Sequence, residues 1–157
     1  MADEQRATSP QTGFEIGCDG PSVVLAGVDG SPTSMRAASY AAGLARRQGS
    51  HLVLAYVARP PLYPPLEPYG AAAVVATVRD EARELWRTLA RETALSDVRA
   101  DFLVALGDPY RELNRLAEDF RADLLVVGAS ECLRRRLRGS LATRLVGARR
   151  RPVVVVP

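Results

Sequence analysis

Val23-Val24-Leu25-Ala26-Gly27-Val28-Asp29-Gly30-Ser31-Pro32 is the stretch on which the reading of this chain turns. Val23 to Val28 is a continuous apolar run, which marks a strand covered on both faces rather than one side of an exposed sheet. It stops at a turn. Ser31 followed by Pro32 is a helix start, an N-cap with proline at the first helical position. A buried strand that feeds directly into a helix is the first half of a βαβ unit.

The same alternation continues on both sides of the turn. Met35, Ala38, Ala42 and Ala45 recur at helical spacing, and Gly49 stops that helix. Leu52 to Val57 reads as the second strand. The segment from Arg59 to Pro68 carries five prolines and reads as a surface loop, being neither helix nor paired strand. Val75, Val78, Ala82, Leu85 and Leu89 trace the inner stripe of a long amphipathic helix. Val98 to Leu106 is read as strand three. Gly107-Asp108-Pro109 turns into a helix with Tyr110, Leu113, Leu116 or Ala117, and Phe120 inward. Leu124 to Val127 is strand four, ending at Gly128. Ser140 caps a short helix with Leu141, Leu145 and Ala148 inward, and Val153 to Val156 is strand five. Strands alternating with helices predict an α/β domain with a parallel sheet, helices on both faces and right-handed crossovers. Residues 1–21 lack periodicity and are expected to be a flexible tail, with one domain over 22–157.

The 157 residues are 47% apolar and 25% charged, ordinary for one globular domain. No apolar run reaches the length of a membrane span, and the N-terminus has no basic head before an apolar stretch, so the expected location is cytoplasmic. The two cysteines, Cys18 and Cys132, stand in unrelated contexts and read as free thiols. His51 is the single histidine. It opens a strand and is expected at the surface of a strand edge. Zinc sites and a Ser-His-Asp triad find no support. All 21 basic residues are arginine, and eight of them follow Cys132 with no acid among them.

In open α/β sheets ligands bind beyond the carboxyl ends of the strands, where strand order reverses. The candidate positions are Asp29, Val57 to Arg59, Gly107 and Asp108, and Gly128 to Glu131. The segment from Gly128 to Leu141 is the most suggestive. Glycine allows a ligand close to the backbone, and Gly139-Ser140 at a helix start turns N–H groups toward an anion. Glycines that merely end strands and start helices are the competing reading. No G-x-x-x-x-G-K-[ST] loop is present, since the chain has no lysine, and no G-x-G-x-x-G follows the first strand.

Val24 to Pro32, then Gly107-Asp108-Pro109 with Leu116-Ala117-Glu118 and Ala122 to Gly128, then Gly139-Ser140 leading into Arg151 to Val156, together resemble the universal stress protein family. The likeness runs over about residues 22 to 157. It implies a three-layer, Rossmann-like sandwich of the adenine nucleotide alpha hydrolase-like kind, with a five-stranded sheet of order 3-2-1-4-5. Asp29 and Gly128 then end side by side. In members that bind ATP the nucleotide lies there. The resemblance assigns the adenosine end to Gly27, Val28, Asp29 and Val57, with Val127 alongside, and the phosphates to Gly128, Gly139, Ser140 and Leu141. It implies ATP, with Mg, as the ligand. Asp29 would meet either nucleoside hydroxyls or a metal.

Two departures from the G-x2-G-x9-G-[ST] pattern stand out. Glu131 replaces the second glycine, and ten residues separate Gly128 from Gly139 where the pattern has twelve. A carboxylate beside a triphosphate is repulsive unless it points away or a metal intervenes. Arg134, Arg135, Arg136 and Arg138 either meet phosphates or form a solvated loop. The leading expectation is a regulatory nucleotide-binding module with at most slow hydrolysis, since no general base or P-loop lysine is in view. The alternative is a nucleotide-free interaction protein of the same fold. Nucleic-acid binding by the arginine-rich third is disfavoured by low net charge and few aromatic residues there. Cys132 beside arginines is read as an inert loop cysteine rather than a reactive thiol. Four valines on an edge strand are an association hazard if uncovered, so a homodimer through Val153 to Val156 is expected, as the resemblance also implies.

Overall fold

A computed structural model of the chain describes residues 20–59, 68–93, 95–129 and 140–157. Five strands form one parallel sheet of order β3-β2-β1-β4-β5. They are β1 (Val23–Val28), β2 (His51–Ala58), β3 (Ala100–Leu106), β4 (Leu124–Gly128) and β5 (Val153–Val156). The helices among the described residues are α1 (Pro32–Gln48), α2 (Pro68–Glu92), α3 (Pro109–Asp119) and α4 (Leu141–Ala148).

Alternation along each buried strand divides the core into two. Val24, Ala26 and Val28 face one way, with Leu52, Leu54 and Val126, and meet α1 and α2. Leu25, Val53, Ala55, Leu125 and Val127 face the other way and meet α3 and α4. Both faces of β1 are therefore dry, which is why its sequence is an unbroken apolar run. The inner face of α1 is alanine: Ala37, Ala38, Ala41, Ala42 and Ala45 are all buried. Such short side chains let the helix lie close on the sheet.

The helix starts follow the sequence. Ser31 Oγ accepts a hydrogen bond from Ser34 N at 3.2 Å, Asp108 Oδ2 from Arg111 N at 3.2 Å, and Ser140 Oγ from Thr143 N at 3.1 Å. Each satisfies one donor that a helix start leaves over. Gly49 closes α1 in the left-handed region, at φ 66°, where glycine carries no steric penalty.

Three expectations are corrected. Strand three begins at Ala100 rather than Val98, because Leu95–Asp97 form a 3-10 turn and Val98 N donates to Leu95 O at 3.0 Å. Val75 faces solvent, at 44% exposure. The residues of α2 that pack on the sheet, Ala82, Leu85, Trp86 and Leu89, all belong to its C-terminal half. A helix of 25 residues is about 38 Å long and overruns strands of seven or eight. His51 does open β2, but that strand lies inside the sheet, and the side chain is only 16% exposed. Its Nε2 lies 2.9 Å from Asp101 Oδ2, with the Phe120 ring edge-on. The expected tail, apart from Gly20 and Pro21, and most of the proline-rich segment lie outside the described residues.

Candidate functional site

The carboxyl ends of β1 and β4 are neighbours, with Gly27 opposite Val127 in the ladder. The first helix after β1 covers one face of the sheet and the helix after β4 covers the other, so a crevice opens between them. This is the switch point that the sequence suggested.

The β1 side of the crevice is tightly bonded. Asp29 N donates to Ser34 Oγ at 3.2 Å, and that hydroxyl donates to Ser31 O at 3.0 Å. Asp29 Oδ1 accepts from Ser31 N at 3.0 Å. Ser34 is 4% exposed. The turn thus holds the Asp29 carboxylate at the head of α1 in a fixed pose.

Gly128 has a packing role that its sequence context did not suggest. A Cβ built there would lie 2.6 Å from Thr33 C and 2.7 Å from Ser34 N. The close approach that glycine permits is to the backbone of α1, so this residue sets the seat of the helix on β4 whatever else binds nearby. Gly27 is similar but softer, since its Cβ would meet the Leu113 side chain at 3.0 Å.

Among the other expected residues, Val28 turns its side chain into the α1–α2 core and offers only backbone. Val57 and Val127 face the α3–α4 layer, the latter 2% exposed. Ser140 and Leu141 open α4 on that same side of the sheet. Gly139, Glu131, Cys132 and the arginines 134, 135, 136 and 138 lie outside the described residues.

Among the described residues, the start of α4 is tied to the start of α3 by side chains. Arg144 Nη2 lies 3.5 Å from Asp108 Oδ2, and its guanidinium carbon stands 4.2 Å above the Tyr110 ring. Sequence reading missed this link, because nothing in local periodicity pairs residues 108 and 144. Arg151 and Arg150 are also engaged within the fold. Arg151 Nη1 donates to Ala117 O and Ala122 O, closing the end of α3, and Arg150 reaches Glu118 at 2.6 Å.

A cleft of about 780 Å³ opens on the α1–α2 side and shares only Asp29 with the expected set. Its walls include Asp29, Tyr56, Glu81, Glu84 and Glu92. The Tyr56 hydroxyl donates to Glu81 Oε2 at 2.8 Å. Burial first, then the Glu81 hydrogen bond and the Glu81 and Asp29 charges, push the phenol up to about 12. With four carboxylates and no arginine among the described residues of its lining, this cleft disfavours anions. No group of three or more potential metal ligands gathers among the described residues, and no described helix is long and apolar enough to cross a membrane.

The family model for the universal stress protein family matches residues 22–157. A crystal structure of a universal stress protein in complex with cAMP is 25% identical, with 87% of this chain and 97% of that chain covered at a TM-score of 0.62. A member of the family from Burkholderia pseudomallei is 26% identical over 87% and 96%, at 0.69. The universal stress protein from Archaeoglobus fulgidus in complex with dAMP is 18% identical over 86% and 96%, at 0.54. No curated protein sequence matches the chain.

Proposed function

Because the chain belongs to the universal stress protein family, we propose that it is a regulatory module that binds an adenine nucleotide in the crevice between β1 and β4. The observation that carries this reading is the pairing of β1 with β4, which sets the fixed Asp29 turn beside Gly128, with the Ser140 cap opening α4 on the far side. A relative of the same fold, 25% identical with 97% of its chain covered, was crystallised in complex with cAMP. The sugar end falls to Asp29 and the backbone of Gly27 and Val28, and the phosphate to the N–H groups at the start of α4. A magnesium ion would arrive with the phosphates, since Mg²⁺ is commonly held by one or two carboxylates together with substrate oxygens.

Regulation rather than turnover is the proposed mode. The chain's only histidine opens β2 at the foot of the sheet, about 20 Å from the crevice by strand rise, and is engaged with Asp101. Titration calorimetry with AMP, cAMP and Mg-ATP tests the reading, after absorbance has checked for carried-over nucleotide. Micromolar binding that weakens in Asp29→Asn is expected. That change keeps the Oδ1 acceptor for Ser31 N, so it alters charge and spares the turn. Absence of heat with all three ligands would overturn it.

The second reading is a nucleotide-free interaction protein, favoured by the acidic α1–α2 cleft and by Glu131 in the shortened loop. In either reading we propose a homodimer through β5. That strand is the open edge beyond β4, and Val155 is 39% exposed. Light scattering should give twice the 16.9 kDa chain mass, falling to the monomer in Val155→Glu. A wild-type monomer at micromolar concentration would remove the dimer.

A further inference from the structure

Arg144 belongs to the first turn and a half of α4, one helical turn after the Ser140 cap and on the same side of the helix. Its charge is directed along the α3–α4 layer to the start of α3, where it meets Asp108 at 3.5 Å and covers Tyr110. Both partners of the ion pair are open to water, the arginine side chain at 46% and the aspartate at 41%. A long, exposed pair of this kind contributes little to stability and is readily exchanged. The ring beneath the guanidinium is different: it holds the planar group in position whichever anion the N–H groups face.

The charges at the strand ends give that exchange a direction. Asp29 follows β1 and Asp108 follows β3, both carboxylates. An anionic ligand at the start of α4 needs a cation, and Arg144, one turn along that helix, is only loosely held. Guanidinium binds a phosphate through two parallel, charge-assisted hydrogen bonds, and a dianionic phosphate competes well with one exposed carboxylate.

We propose that Arg144 is the phosphate-contacting side chain of the nucleotide site, giving up Asp108 for the ligand and setting the preference for phosphorylated over unphosphorylated nucleosides. The inference rests on nucleotide binding at the β1–β4 crevice. Asp108 is the competitor that holds the arginine when no anion is bound, and Tyr110 is the platform on which it turns.

Calorimetry with adenosine and with AMP separates this inference from the reading beneath it. Wild-type protein should bind AMP more tightly than adenosine. Arg144→Gln should weaken AMP about tenfold, the loss of a charged hydrogen bond, and leave adenosine unchanged. Arg144→Lys should recover part of the loss, with charge restored but not the fork. Asp108→Asn, which keeps an acceptor for the α3 cap, should tighten AMP severalfold by removing the competing charge. Equal weakening of both ligands in Arg144→Gln, or none of either, would overturn the proposal while adenosine binding stands. If wild-type protein binds neither adenosine nor AMP, the nucleotide reading itself falls and this inference with it.

Discussion

The two walls of the crevice are built differently. On the β1 wall, the turn from Asp29 to Ser34 is tied by hydrogen bonds to backbone, and Gly128 is pressed against the peptide between Thr33 and Ser34. On the α4 wall, the polar link from the helix start to α3 among the described residues is one exposed arginine, beside the apolar packing of Leu141 and Leu145. Backbone against backbone cannot yield without moving a helix. A side chain on an aromatic ring can change partners at little cost. One wall therefore defines the site and the other responds to what enters it.

Substitutions that break this contrast should have graded effects. Gly128→Ala is expected to be the most severe. The new methyl has no flexible side chain to displace, and overpacking of this kind costs about 3 kcal/mol. For a domain of this size that lowers the melting temperature on the order of 10 °C in a calorimetric scan. A variant that melts with the wild type would mean α1 can slide on β4, and the rigid wall would be a misreading.

Ser34→Ala comes next. It strips the acceptor from Asp29 N and the donor to Ser31 O in a nearly dry position, a loss of about 2 kcal/mol in denaturant unfolding. Ser140→Ala removes the cap on Thr143 N and an exposed hydrogen bond with the Thr143 hydroxyl, about 1 kcal/mol. If Ser140→Ala proved costlier than Ser34→Ala, the α4 wall would be the rigid one and the comparison would invert.

The smallest effect at neutral pH belongs to Tyr56→Phe, under about 1 kcal/mol for an exposed hydrogen bond. Its signature is in pH. The folded phenol is pushed up to about 12, while an unfolded tyrosine titrates near ~10. The folded state holds the proton more tightly, so this contribution is complete below pH 10 and is lost as pH rises toward 12. Stability of the wild type should fall through that window, and the Phe variant should fall less. Parallel curves would show that Glu81 does not hold the hydroxyl in solution.

Much of the fold was legible because its signals are local. The run Val23 to Val28, the alanines of α1 and the caps Ser31, Asp108 and Ser140 each depend on residues within one turn or one strand. The strand order was implied by the family resemblance and is the order observed. The crevice residues Asp29 and Gly128 were found by the rule that ligands gather at strand ends. Less legible were His51, whose strand turned out to be internal, and Val75, which carries the helical period beyond the edge of the sheet. Periodicity reports which way a side chain points on its own element. It does not say whether another element is there to meet it.

By itself, then, the chain determined its α/β alternation, its helix starts and the strand ends where a ligand would gather, since those follow from short-range spacing and backbone sterics. The tertiary structure alone decided that Gly128 serves the seat of α1, that Tyr56 meets Glu81 across 25 residues, and that Arg144 reaches over Tyr110 to Asp108. Those contacts depend on how strands register and how closely helices approach the sheet. These are properties of the packed whole, and no single window of sequence encodes them.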